Sequence, residues 1–222
     1  MAKNLKDYLY YEEKNPDLRI YLGDCLEIMP LLPKVDLVVT DPPYGINMDA
    51  ELHKKKGTFG YKDYGDSGNW DAAPPPLEIF KMIFEISKDQ IIWGGNYFID
   101  KLYPSMGWLV WDKGQRDFSL SDGELAWTSF DQALRIKTYA RSKALQDGKR
   151  HPTQKSLTVM KWAIQQCKYW DIPLTILDPF LGSGTTLVAC KELNRNGIGI
   201  EINQKYCEIA KTRLQNTQRM ML

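Results

Sequence analysis

The chain has 222 residues, with 29 Lys and Arg against 28 Asp and Glu and a formal net charge of +1. That length suits one domain, or one with a generous insertion, and suffices to bury a substantial core. The near-neutral balance announces no polyanionic partner, no apolar stretch approaches membrane-spanning length, and the charged, tyrosine-rich start does not read as a secretory leader, so a cytoplasmic location is expected. Cys25, Cys167, Cys190 and Cys207 form no C-x-x-C pair and lack zinc-ligand spacing. They are expected as free buried thiols, and no metal is expected.

In chain order, the pattern predicts a strand over 19–22 that ends at Gly23-Asp24, then a short helical turn over 25–31. The continuous apolar run 35–40 reads as a buried parallel strand. Residues 45–75 carry no clear period, and a long irregular stretch in a compact domain is usually functional or disordered. Pro74-Pro75-Pro76 opens a helix over 77–87. Further strands are predicted over 90–93 and 108–111, and a hairpin from 124–130 and 134–138. A helix from about Lys155 places Leu157, Met160, Ile164 and Cys167 on one face. A strand beginning near Ile176, a helix from about Gly184 to a stop at Asn196-Gly197, a strand over 198–200 and a final helix complete the chain. Arg213 is expected at the edge of that helix's apolar stripe.

Alternating strands and helices imply a mostly parallel sheet with helices on both faces, in a single domain spanning 1–222. Such sheets bind ligands beyond the carboxyl ends of their strands, and the unusual residues fall there. Asp41-Pro42-Pro43-Tyr44 follows the strand at 35–40. Asp178-Pro179-Phe180-Leu181-Gly182-Ser183-Gly184-Thr185-Thr186 follows the strand near 176. Gly182 and Gly184 permit a tight turn and close approach to a ligand, and the helix that follows offers free N–H groups to an anion. The dinucleotide pattern G-x-G-x-x-G is incomplete, because Thr186-Leu187 replaces its third glycine. Glu201, at the end of the next strand, is placed to accept both hydroxyls of a ribose and to repel a 2′-phosphate.

These segments, with Gly23-Asp24, Ile92-Trp93-Gly94-Gly95-Asn96, His151-Pro152-Thr153-Gln154-Lys155 and Gly199-Ile200-Glu201, resemble the amino-methylating DNA methyltransferases. The order is that of the permuted group, in which the catalytic tetrapeptide precedes the glycine loop. The resemblance covers most of the chain. It implies a Rossmann-like methyltransferase fold with a seven-stranded sheet containing one antiparallel strand, and S-adenosyl-L-methionine as cofactor. Asp178, Phe180, Gly182, Ser183, Gly184, Thr185 and Thr186 would surround the methionine and ribose parts. Glu201, with Ile202 beside it, would hold the ribose, Asp24 would accept from the adenine amino group with Cys25 alongside, and Asp41 would border the cofactor. In the His151–Lys155 run, Lys155 is placed to meet the methionine carboxylate, while Thr153 reads equally as a helix cap. Ser156 stands where the family usually has proline.

The tetrapeptide suits one chemistry. An aromatic amino nitrogen is a poor nucleophile because its lone pair is delocalised into the ring. The Asp41 carboxylate and the Pro42 carbonyl can each accept one of its N–H bonds and so favour a tetrahedral nitrogen. Pro42 and Pro43 stiffen the backbone that aims them, and Tyr44 offers a face to an extruded base, worth about 1–3 kcal/mol. Reaching the target atom in double-stranded DNA requires flipping the base. Aspartate in the first position resembles enzymes acting on adenine N6. Cytosine N4 is the alternative, and an RNA adenine a more distant one, since no RNA-binding module is visible. From other classes, the incomplete glycine pattern and the unexplained tetrapeptide count against a NAD-dependent oxidoreductase. An intact tetrapeptide counts against a catalytically dead binding protein.

Two basic runs are candidates for phosphate contacts. They are Lys54, Lys55 and Lys56, within 45–75, and Arg135, Arg141, Lys143 and Arg150, within 113–150. Both loop insertions are candidate DNA-contacting segments, and Asn96 is a candidate for the wall of the base pocket. Recognition by a homodimer and a companion restriction enzyme are left open by the sequence.

Overall fold

The computed structural model describes residues 4–47, 71–116, 121–144, 155–168 and 174–218. Its strands are β1 (Leu9–Glu13), β2 (Leu18–Leu22), β3 (Val35–Thr40), β4 (Ser87–Trp93), β5 (Leu109–Asp112), β6 (Gly123–Thr128), β7 (Arg135–Thr138), β8 (Thr175–Asp178) and β9 (Asn196–Glu201). The helices are α1 (Cys25–Ile28), α2 (Leu77–Ile86), α3 (Arg141–Ala144), α4 (Leu157–Ile164), α5 (Thr185–Glu192) and α6 (Gln204–Asn216). No helix among the described residues is long and apolar enough to cross a membrane.

The nine strands among the described residues form one sheet in the order β1-β2-β9-β8-β3-β4-β6-β5-β7. The seven-stranded expectation is therefore exceeded at both ends. β1 pairs antiparallel with β2 at one edge, and β7 pairs parallel with β5 at the other. Two strands run against the rest, β1 and β6.

The predicted hairpin of residues 124–130 with 134–138 does not form. β5 lies between its two halves, antiparallel to β6 and parallel to β7. Burial decides this arrangement. β5 carries the buried Leu109 and Trp111 and takes the interior position, whereas β7 exposes Arg135, Ile136 and Thr138 and takes the edge. Within the segment 113–150, residues 123–128 and 135–138 thus belong to the sheet.

The remaining elements follow local rules. β3 is a run of β-branched and aliphatic residues buried on both faces. α2 sets Ile79, Phe80, Ile83 and Ile86 on one side. α4 begins later than Lys155, because Ser156 is its cap and its hydroxyl accepts from the Val159 N–H at 3.4 Å. The helix predicted to reach Asn196-Gly197 stops at Glu192. Asn194 adopts a left-handed conformation (φ +53°) that ends the helical path, and Asn196 and Gly197 already belong to β9.

Each face of the sheet has its own core. On one, Leu37, Val39, Ile91 and Trp93 pack with Val159 and Met160 of α4, Leu187 of α5 and Ala210 of α6. On the other, Val38 and Ile92 pack with Ile28 of α1 and with Ile79, Phe80 and Ile83 of α2. The alternation along β3 and β4 thus covers both faces. Gly184 marks a close approach of backbones on the first face. Its φ is +84°, and a β-carbon there would lie 2.7 Å from the Ala210 Cβ and 3.0 Å from its Cα.

The second core reaches the Asp41–Tyr44 loop through aromatic contacts. Phe80 packs on Phe98 with ring centroids 5.2 Å apart, and Phe98 meets Tyr44 edge-on at 6.0 Å. Phe80 is fully buried, so Phe80→Ala should cost about 3–5 kcal/mol, read as a fall in the urea midpoint with an unchanged slope.

Candidate active site at the carboxyl edge of the sheet

Five parallel strands deliver residues to one edge. β2 ends at Gly23-Asp24, β9 at Glu201, β8 at Asp178, β3 at Asp41 and β4 at Gly94. Between β8 and β3 the chain's progress along the sheet reverses, since β3 leads to its neighbour β4 and β8 to β9 on the opposite side. Open α/β sheets place their ligand crevice at such a switch point. Here Asp41 and Asp178 end the two strands that flank it.

Asp178 is buried and hydrogen-bonded on both oxygens. The Thr40 hydroxyl donates to it at 2.8 Å, the Thr186 hydroxyl at 2.6 Å and the Phe180 N–H at 3.1 Å. Burial nevertheless pushes its pKa up to about 6. The glycine loop is tied from both sides. The Gly182 N–H donates to one carboxylate oxygen of Glu201 at 2.8 Å and the Asn203 N–H to the other at 2.8 Å. Arg213 reaches over from α6 and donates to the Ser183 carbonyl at 2.6 Å, the Ser183 hydroxyl at 3.1 Å and the Thr185 hydroxyl at 3.0 Å. A β-carbon built at Gly182 would meet nothing within 4 Å, so the crest of the loop faces open space.

At the far side of this half, Asp24 accepts from the Leu26 N–H at 2.9 Å and caps α1, while the Gly23 N–H donates to the Glu201 carbonyl at 2.9 Å. Burial pushes the neighbouring Cys25 thiol up to about 12, so it is no nucleophile at neutral pH. Ile202 is exposed beside Glu201.

The half around Asp41 is built of charges. The Tyr44 hydroxyl donates to Asp41 Oδ1 at 2.5 Å, and Lys155 Nζ lies 3.2 Å from the same oxygen and 3.3 Å from the Tyr44 hydroxyl. Lys155 also donates to Glu124 Oε2, and Lys113 Nζ sits 2.8 Å from Glu124 Oε1. The Lys155 ammonium lies 4.8 Å over the Trp93 ring.

Burial pushes Asp41 above the usual carboxylate range, with Lys155 pulling the other way. Burial also opposes the charge of Glu124, yet Lys155 and Lys113 overcome it and hold that carboxyl at about 2. Lys155 itself is held well above its ordinary value by Asp41 and Glu124 in spite of burial. Asp41 keeps 23% of its side-chain surface exposed and Lys155 only 4%, so the pair opens outward on the carboxylate side.

Tyr44 lies against the Gly94 backbone, where a β-carbon would come 2.2 Å from its ring. Tyr97 stacks on Tyr44 with centroids 4.7 Å apart and planes 14° apart. The loop that follows is tied where it leaves the site. The Gly45 N–H donates to Asp71 Oδ1 at 2.8 Å and the Asn47 N–H to the Asp71 carbonyl at 3.0 Å.

The structure thus gathers Asp24, Cys25, Asp41, Pro42, Pro43, Tyr44, Lys155, Asp178, Phe180, Gly182, Ser183, Gly184, Thr185, Thr186, Glu201 and Ile202 along one edge. Asn96 is exposed in the turn just after β4. Arg141 and Lys143 lie on α3, which starts beside this edge, with the Arg141 N–H on the Lys113 carbonyl at 3.1 Å. Arg135 does not join them. It begins β7, opposite Leu109, about 10 Å back along the strand from the site edge. Thr153, Lys54, Lys55, Lys56 and Arg150 lie outside the described residues.

The sequence reading did not single out Lys113 and Asp71, gave Glu124 at most a structural part, and kept Arg213 at the edge of its helix's apolar stripe. Glu124 carried a signal, a lone carboxylate at the start of an apolar strand.

Residues 92–212, more than half of the chain, match the family model described as DNA methylase, of the N6/N4 type. The chain belongs to that family. It is 48% identical to the type II methyltransferase M.HpaI of Haemophilus parainfluenzae, over 90% of this chain and 75% of that protein. It is 26% identical to M.HinfI of Haemophilus influenzae, over 97% of this chain and 71% of that protein. Among solved structures, the M1.HpyAVI complex with S-adenosylmethionine superposes with a TM-score of 0.58 at 25% identity, covering 88% of this chain and 99% of that one.

The buried charge of Asp178 costs stability. Its folded pKa, about 6, lies above the ordinary 3.8, so the folded state binds the extra proton first and the penalty is relieved as pH falls from 6 toward 4. Asp178→Asn should therefore raise the melting temperature above pH 6, by the equivalent of about 3 kcal/mol at most. The gap from wild type should close near pH 4 in a calorimetric pH series.

Proposed function

We propose that this DNA methylase transfers a methyl group from S-adenosyl-L-methionine to the exocyclic N6 amino group of an adenine flipped out of double-stranded DNA. The observation that carries the reading is the pair of strand ends at the switch point. The outward-opening carboxylate of Asp41 and the glycine loop after Asp178 stand on adjacent strands, linked by the Thr40–Asp178 hydrogen bond.

The residues present fit the cofactor. The open crest at Gly182 admits a ligand against the backbone, and Asp24, Asp178 and Glu201 supply acceptors for its amino and hydroxyl groups. When bound, S-adenosylmethionine supplies an electrophilic methyl on a sulfonium. The protein's part is to prepare the nitrogen. Asp41 and the Pro42 carbonyl accept its two N–H bonds and localise the lone pair. Attack by that lone pair on the methyl would leave the C–S electron pair on sulfur, so the cofactor would supply its own leaving group. The surplus proton on nitrogen passes to the Asp41 carboxylate, whose raised pKa suits it to receive one. Tyr44, with Tyr97 extending its stack, provides the aromatic surface for the extruded base.

The choice of adenine rests on aspartate in the first position of the tetrapeptide. Arg141 and Lys143 beside the edge, with Lys54, Lys55, Lys56 and Arg150, are assigned to phosphate contacts, and Asn96 to the wall of the base pocket. Thr153 is assigned to the cofactor side.

Incubation with isotopically labelled S-adenosylmethionine and unmethylated duplex DNA, followed by nucleoside mass spectrometry, should place the label in N6-methyladenine. Label in N4-methylcytosine would keep the mechanism and overturn the base assignment. Asp41→Ala should reduce transfer at least ~10²-fold while leaving cofactor affinity, measured by calorimetry, within a few fold. Neutralising Arg141 and Lys143 together should weaken DNA binding and lower the slope of log K against log salt by about 2. An unchanged slope would return both residues to the role of solvated surface.

A further inference from the structure

Lys155 stands apart from the cofactor half in which its motif would place it. An ammonium has three N–H bonds, and here they face Asp41 Oδ1 at 3.2 Å, the Tyr44 hydroxyl at 3.3 Å and Glu124 Oε2. With 4% of its side chain exposed and the Trp93 ring 4.8 Å from the ammonium, it has no free donor to offer a cofactor carboxylate. Glu124 is fixed in turn by Lys113 at 2.8 Å.

The reversed direction of β6 explains how Glu124 comes to be there. In a strand that runs against β4, the first residues, not the last, lie at the carboxyl edge of the sheet. Four charges of alternating sign therefore line up across the edge: Asp41, Lys155, Glu124 and Lys113.

Resting on the reading of Asp41 given above, we infer that Lys155, held from behind by Glu124, is a positioning residue for methyl transfer. It keeps Asp41 an anionic acceptor with one oxygen fixed and the other free for the amino group, and it acts through Asp41 rather than by binding the cofactor. Without a cation at this distance, a carboxylate so enclosed would take up a proton, and a protonated Asp41 would be a weaker acceptor for the N–H bond and could not receive the released proton. The ionisable groups that face Asp41 are Lys155, Tyr44, Glu124 on β6 and, across the switch point, Asp178. Lys113 acts one step further out, through Glu124. Asp178 and Glu124 both disfavour the charge on Asp41, which leaves Lys155 as its counter-ion among the described residues.

The test uses the full chain with 13C-labelled aspartate carboxyls and two variants. Lys155→Met removes the counter-ion. Lys155→Met with Glu124→Gln removes the counter-ion and the like charge together, and it leaves no uncompensated carboxylate beside Asp41 should the single variant fold poorly. In the free protein, the Asp41 titration midpoint should move to higher pH by about 1–3 units in Lys155→Met and by less in the double variant. The acid limb of kcat for methyl transfer to DNA should move in the same order, since activity falls as Asp41 takes up its proton. Cofactor affinity by calorimetry should stay within a few fold of wild type, and Lys155→Arg, which retains the charge, should keep the acid limb near its wild-type position.

An Asp41 midpoint and acid limb that stay at wild-type values in both variants overturn the inference. So does a cofactor affinity that falls by tenfold or more with the Asp41 midpoint unmoved, which would return Lys155 to the cofactor. Wild-type protein that transfers no methyl group to any base overturns the underlying reading of Asp41 instead, so the two failures are separable.

Discussion

Two carboxylates have to be kept within one nearly dry crevice, and the rest of the carboxyl edge is arranged around that demand. Asp41 and Asp178 end adjacent parallel strands, and neither can be solvated as it would be in bulk water. Removing ionised groups from water costs several kcal/mol each unless charges or hydrogen bonds replace the water. The protein meets the demand in two different ways. At Asp178 it supplies only neutral donors, two hydroxyls and one backbone N–H, and accepts a carboxyl that binds a proton near pH 6. At Asp41 it supplies a cation. The first solution suits a group that holds a neutral or cationic ligand in place. The second suits a group whose charge must be available for chemistry.

The division reaches into the helices. The glycine loop is held by hydrogen bonds from a helix that follows it closely in sequence, through Arg213 of α6. The Asp41–Tyr44 loop is held by residues drawn from distant parts of the chain: Glu124 from β6, Lys113 from just after β5, Lys155 from just before α4 and Phe98 from the turn after β4. The glycine loop is thus tied mostly by residues of the last third of the chain, with the Thr40 hydroxyl joining it from β3, and the Asp41–Tyr44 loop by residues from several distant segments. A change that loosens the sheet's β6–β5 side is felt first at Asp41, while Glu201 and Asp178 keep their own fastenings.

That difference also explains what could be read without coordinates. The tetrapeptide and the glycine loop are contiguous, and each follows an apolar run, so strand, turn and chemistry are visible together. β3 was predicted with its observed boundaries. Strand direction was harder to see. A half-buried strand alternates in the same way whichever way it runs, so 124–130 looked like one arm of a hairpin, and the end of the sheet to which it brings Glu124 was not legible. β1 was missed because its tyrosines and glutamates give a pattern of partly exposed positions with no buried residue. Arg213 looked like the fringe of an apolar stripe, since nothing in the spacing of α6 tells which loop passes beneath it. The end of α5 was set by the left-handed Asn194 rather than by the Asn-Gly pair two residues on, which β9 uses as its opening.

The stretch after Tyr44 leaves and returns at nearly the same point. Gly45 and Asn47 are hydrogen-bonded to Asp71, and Gly45 abuts Pro74, whose Cδ would lie 2.5 Å from an added β-carbon. A segment with joined roots can change length without pulling on its anchors, and the entropy of closing it grows by only about 0.6 kcal/mol for each doubling. The chemistry of Asp41 and the composition of residues 48–70 are therefore free to evolve separately. A new stretch of any length could be grafted between Asn47 and Asp71 while the neighbouring carboxylate, its lysine and the stacked tyrosines stay where they are.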